Sequence, residues 1–151
     1  MTTTIYVDAD ACPVKDEVLE IGLKRRWAVV FVSNGGLRPS RYEGARIVTV
    51  PAGADVADDW IAEACGPGDV VVTADIPLAS RCLEKDAVVL GPDGRPFTPE
   101  SIGAALSFRA FNQHLRETGE SRGFNKSFTA ADRSRFRQSL ETALGRSITR
   151  N

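Results

Sequence analysis

Aspartates gather at three points of this chain: Asp8 and Asp10 in IYVDADACP, Asp55, Asp58 and Asp59 in GADVADDWIAEA, and Asp75 in DVVVTADIPLAS. Apolar runs precede the first and last, so these carboxylates should emerge at the carboxyl ends of buried strands. Brought together, the three groups would repel one another strongly unless a divalent cation neutralised them. Hard carboxylate oxygens suit Mg²⁺ or Mn²⁺, which usually keep several waters and bind phosphate oxygens directly. Metal-dependent phosphoryl chemistry is expected, with an ion stabilising the charge that builds on the phosphate. Asp58 or Asp59 should complete the site, directly or through water. Asp10 is either a ligand or the group that orients a metal-bound water.

Each acid also has a simpler explanation. An aspartate at a helix start caps the helix and complements its dipole, which suffices for Asp55 taken alone. Asp75 could be a plain turn residue. Capping does not explain three acids on one turn: Asp55, Asp58 and Asp59 stand at i, i+3 and i+4, on one helical face.

The elements that must position these groups alternate. Thr3–Val7, Trp27–Val32, Arg46–Val50, Asp69–Thr73 and Ala87–Leu90 read as strands. Pro13–Arg26, Asp55–Cys65 and Pro77–Lys85 read as helices between them. Apolar faces are expected from Val14, Val18, Leu19, Ile21 and Leu23 in the first, and from Val56, Trp60, Ile61 and Ala64 in the second. Thr98 should cap a longer helix reaching about Glu117, with Pro99 in its first position. Thr129 and Asp132 resemble a capping box opening a last helix with Phe136, Leu140 and Leu144 inward. This alternation predicts a single α/β domain over 1–151: a mainly parallel five-stranded sheet flanked by helices, with a two-helix C-terminal extension from about residue 99. In such sheets ligands bind beyond the carboxyl ends of the strands, where strand order reverses.

The 151 residues suffice for a real core, and 42% hydrophobic with 26% charged residues is ordinary for a soluble protein. No apolar run approaches a membrane span and no signal-peptide pattern opens the chain, so a cytoplasmic location is expected. Cys12, Cys65 and Cys82 suit reduced thiols better than a disulfide frame, and with the single His114 they make no zinc spacing. Cys12 sits beside the DAD motif but has no base near it in sequence, so packing explains it better than nucleophilic chemistry. The net charge of −1 hides an asymmetry: −6 over the first 108 residues and +5 from Arg109 onward. A basic tail beside an acidic front would suit a polyanion such as RNA or another nucleic acid. Lys15, one turn into the first helix, and Asn34, beyond the second strand, could contact substrate. Arg109 and Arg116, two turns apart, could track a phosphate backbone. Ordinary surface and turn roles remain open for all four.

VDADACPVK, ADVADDWIA, VVTADIPLA, GPDGRPFT and FRAFNQHLRETG together resemble the YaiI/YqxD family of bacterial proteins, over nearly the whole chain. That family is assigned to the PIN-like superfamily, whose better-known members are metal-dependent nucleases. The resemblance implies acids from strand one, a central helix and strand four gathered around Mg²⁺ or Mn²⁺, which fall here at Asp8, the Asp55/Asp58/Asp59 group and Asp75. The superfamily's TxD step matches Thr73-Ala74-Asp75, so the resemblance implies one- or two-metal hydrolysis of a phosphodiester, with an ion activating water and with Asp8 and Asp75 as the first choices as ligands. Where the family pattern has Gly-Pro before a basic residue in the C-terminal loop, this chain has Arg122-Gly123-Phe124-Asn125-Lys126, so no role is carried over to that loop.

Two other functions fit the same residues. A strand followed by Asp-x-Asp also presents the nucleophile and acid of aspartyl-phosphate phosphatases, here Asp8 and Asp10. Against it, Cys12 stands where a threonine or serine would be expected. A non-catalytic module binding RNA or a protein would keep the acids only for ion-stabilised folding.

Overall fold

The computed structural model describes residues 3–53, 55–103 and 128–149. Its centre is a six-stranded sheet in the order β3-β2-β1-β4-β5-β6. The strands are β1 (Thr4–Asp8), β2 (Ala28–Ser33), β3 (Arg46–Thr49), β4 (Val70–Val72), β5 (Val88–Leu90) and β6 (Pro96–Phe97). The first five run parallel, and β6 pairs antiparallel with β5. The sequence reading expected five strands. The sixth is only two residues long and includes a proline, which suits a sheet edge and leaves no periodicity to read.

Helices α1 (Lys15–Lys24), α2 (Val56–Ala64) and α3 (Ile76–Glu84) make the crossovers. A further helix, α4, is described over 99–103, and α5 (Ala130–Thr149) ends the described chain. The sheet separates two cores. On one face Ile5, Val7 and Phe31 pack with Val14, which precedes α1, with Val18 and Ile21 of α1 and with Phe136, Leu140 and Leu144 of α5. On the other, Val32 and Val71 pack with Ile61 of α2 and Leu78 and Cys82 of α3. β4 and all but the first residue of β2 are buried on both sides, which is why they read as nearly unbroken apolar runs, whereas β1 alternates buried with half-buried residues.

Local signals work as expected at several ends. Asp132 N–H donates to Thr129 Oγ1 and Thr129 N–H to Asp132 Oδ2, both at 3.0 Å, so the capping box forms. Ser101 N–H donates to Thr98 Oγ1 at 3.1 Å. Lys85 Nζ donates to the carbonyls of Ala62 and Glu63, satisfying the last turn of α2. Two face assignments change. Leu23 is 42% exposed, and α2 buries Ala57, Ile61 and Ala62 while Ala64 is exposed and Trp60 half-buried. Trp60 instead lies edge-on to Tyr6, with Arg46 over its ring.

The final helix was expected as an extension, and it is part of the core. Phe136, Leu140 and Leu144 are fully buried against α1 and the sheet. Gly94, in the turn between β5 and β6, meets it so closely that a Cβ there would lie 2.6 Å from the Arg135 backbone. Gly94 also has a φ of 87°, which a side chain rarely adopts. Because Leu140 fills a closed space, Leu140→Ala should lower the unfolding free energy in urea by about 3 kcal/mol at unchanged slope. Leu23→Ala, at an exposed site, should change it by no more than about 0.5 kcal/mol.

Candidate functional site

Strand order reverses at β1: the chain moves to β2 on one side and returns to β4 on the other. The carboxyl ends of β1 and β4 thus flank the crevice where open α/β sheets bind ligands. Asp8 ends β1, and Asp75 follows β4 by three residues. Together with Cys12, Thr73, Ala74, Ile76 and Pro92 they line a cleft of ≈ 320 Å³.

Thr73 ties the two acids together. Its buried Oγ1 donates to Asp8 Oδ2 at 3.1 Å and accepts the Asp75 N–H at 3.0 Å. Asp75 Oδ1 in turn accepts the Leu78 N–H at 2.8 Å, so Asp75 caps α3 and faces the cleft at once. The turn-residue explanation and the site explanation are both true of this residue. Among the described residues Asp8 Oδ1 and Asp75 Oδ2 accept no hydrogen bond, leaving each acid one uncommitted oxygen.

The three acids of the α2 turn part company. Asp58 is half-buried, and its carboxyl is pushed up to about 6 by burial, then by the charges of Asp75, Asp8 and Asp55, with Arg81 opposing. Asp8 is raised as well, by burial first and by the charges of Asp75 and Asp10, against the Thr73 hydrogen bond. Asp59 is exposed and pairs with Arg81 of α3 at 2.7 Å. Asp55 holds the position before α2, exposed and without a side-chain capping bond. Spacing put all three on one face. A first turn spreads i and i+1 by about 100°, and of the three only Asp58 is half-buried.

Asp10 is committed elsewhere. Ser33 Oγ donates to its Oδ1 at 2.6 Å and Asn34 N–H to its Oδ2 at 2.9 Å, pinning the end of β2 to the turn after β1. Lys15 Nζ donates to the carbonyls of Ala9 and Cys12 at 3.2 and 2.9 Å, so it clasps that turn from below. Asn34 contributes its backbone N–H, and its residue is exposed. Arg109 and Arg116 lie outside the described residues. Cys12 is buried in the cleft wall, and burial pushes its thiol up to about 11, which leaves it protonated and a poor nucleophile. Among the described residues no group of three His, Cys, Asp or Glu side chains is arranged so that it could by itself hold a metal ion. None of their helices is long and apolar enough to cross a membrane.

Sequence reasoning left Ser33 and Arg81 out of the site and named Thr73 only through the TxD resemblance. Ser33 ends β2 and Thr73 directly follows β4, and a buried hydroxyl there must find a partner. That signal was available. Arg81 carries none, because its partner lies 22 positions away on another helix.

A family model described as "Uncharacterized BCR, YaiI/YqxD family" matches residues 6–146. The chain belongs to the YaiI/YqxD family. A UPF0178 protein of Mesorhizobium japonicum is 59% identical to it over 145 residues, 96% of this chain and 94% of that one. UPF0178 proteins of Parvibaculum lavamentivorans and Agrobacterium fabrum are 58% and 54% identical, over 92% and 91% of this chain and 91% and 90% of their own lengths. No solved structure matches the chain.

The raised Asp58 makes a stability prediction for metal-free buffer. An unfolded aspartate titrates near about 3.9, so between about 4 and 6 the folded state holds the extra proton and stability falls as pH rises. Asp58→Asn removes that loss. In chemical denaturation the variant should be more stable than wild type at pH 7, and the difference should close by pH 4.

Proposed function

We propose that this YaiI/YqxD-family protein hydrolyses phosphodiester bonds in RNA with Mg²⁺ or Mn²⁺ held among Asp8, Asp58 and Asp75. The observation that carries the reading is the pairing of Asp8 and Asp75 across Thr73, at the point where strand order reverses. The donor chemistry fits such an ion. These are hard oxygens, mutually repelling, with one oxygen of Asp8 and one of Asp75 uncommitted. That no three side chains form a complete cage is compatible with Mg²⁺, which commonly uses one or two carboxylates together with waters and substrate phosphates.

When bound, the ion supplies a water acidified toward neutral pH and positive charge beside the phosphate. The chain's own residues do the rest. Thr73 fixes the rotamer of Asp8 through its hydroxyl, and the Leu78 N–H fixes that of Asp75. Without the ion Asp58 holds its proton up to about pH 6, and a bound cation favours its charged form. Asp10, Ser33 and Asn34 keep the β2 loop beside the cleft. Asp55 and Asp59 are left outside the ligand set. The aspartyl-phosphatase alternative loses its general acid, because both Asp10 oxygens are engaged at the end of β2.

The test pairs Mn²⁺ titration by calorimetry with cleavage of single-stranded RNA. Wild type should bind Mn²⁺ and cleave. Asp8→Asn and Asp75→Asn should each lose about 100-fold or more in rate, in line with removing a charge-stabilising group from a reacting centre. Asparagine keeps the α3 cap, so folding should be intact. Wild type that binds no Mn²⁺ and cleaves nothing would end this reading.

A further inference from the structure

An acidic cleft repels the polyanion it is meant to take, so a cation near its edge needs an explanation. Arg81 is that cation. It is the one positive group among the main influences on Asp58, where it opposes three carboxylates. Its Nη1 donates to Asp59 at 2.7 Å, with the two side chains 45% and 59% exposed. A guanidinium has five N–H donors in a rigid fork. Among the described residues Arg81 spends one of them, on Asp59. The other edge of the fork, which is the geometry that grips a phosphate with two parallel hydrogen bonds, is unused.

We propose that Arg81 is a substrate-binding residue: it holds a phosphate of a single-stranded polynucleotide flanking the one at the Asp8–Asp75 cleft, while Asp59 steadies the guanidinium. This rests on the phosphodiester reading above and adds the strand's course, from the cleft across the α2–α3 surface. Arg81 follows the capping Asp75 by six positions, about 9 Å along the axis of α3. That separation places it beyond the reacting phosphate and beside a neighbour. Asp59, expected from spacing as a metal ligand, is the holder of this arginine instead. A plain role for Arg81 also exists, since it lies in the last turn of α3 and complements the dipole there. The dipole and an exposed ion pair act on stability alone, and each contributes little.

The measurement is fluorescence anisotropy of a labelled ten-nucleotide oligouridylate in Mg²⁺, in the Asp75→Asn background to suppress turnover. Arg81→Ala should weaken binding about tenfold and lower the log–log salt slope by about one, with Arg81→Lys between Arg81→Ala and the parent. Asp59→Asn should bind at least as tightly as the parent, because it removes a negative charge and leaves the guanidinium. Thermal unfolding should be nearly the same for all of them. Unchanged affinity and slope in Arg81→Ala, or equal losses in Arg81→Ala and Asp59→Asn, would overturn the assignment. Cleavage by the protein with Asp75 intact separates the two readings. No cleavage with the Arg81 binding effect present ends the hydrolase reading and keeps the contact. Cleavage at the same KM with and without Arg81→Ala ends the contact and keeps the hydrolase.

Discussion

Like-charge repulsion at the carboxyl ends of β1 and β4 is the constraint around which this face of the protein is arranged. Burial, and then the charges of neighbouring carboxylates, raise the proton affinity of Asp8 and Asp58. Each neighbouring contact answers that cost in a different way. Thr73 offers a hydroxyl proton to Asp8, and α3 offers the Leu78 N–H to Asp75. Asp10 has its charge drawn aside by Ser33 and Asn34. Arg81 brings a formal positive charge that opposes the neighbouring carboxylates at Asp58, tethered by Asp59. An acid cluster kept at this expense makes sense where a cation and a phosphate are expected to arrive.

The same edge depends on the two cores behind it. β1 and β4 hold their register because their side chains pack on both faces, against α1 and α5 on one side and α2 and α3 on the other. α5 matters here although it is last in the chain. Arg133 at its start donates to the carbonyl of Pro13 and to buried Glu17, beside the turn that carries Asp10 and Cys12. Phe128 lies against that arginine. The exposed pairs Arg25–Glu141 and Arg137–Glu20 continue the seam and add little to stability. Apolar burial of Phe136, Leu140 and Leu144 therefore holds the helix, and the ion pairs set its register.

Much of the fold was legible because strongly patterned segments report themselves. Continuous apolar runs marked the five parallel strands, and Thr98 and the Thr129–Asp132 box marked helix starts through bonds between residues three apart. β6 was missed because two residues carry no period. The α5 stripe was read correctly, but its destination was not: periodicity says that a face is apolar and is silent about what covers it. In the site, the carboxylates at strand ends could be placed from topology. Lys15 could not be assigned, since nothing local reveals that its ammonium turns back to Ala9 and Cys12.

By itself the sequence determined the alternation of strands and helices, the family, and the presence of Asp8 and Asp75 at the ends of two strands, because all of these rest on contacts within one element or on the chain as a whole. Only the tertiary structure decided which acids share a cleft. Asp58 and Asp59 are neighbours in the chain with the same chemistry, yet one feels Asp75 and Asp8 and the other holds Arg81. The difference is the angle through which one residue turns a helix, seen from neighbours brought together by the sheet.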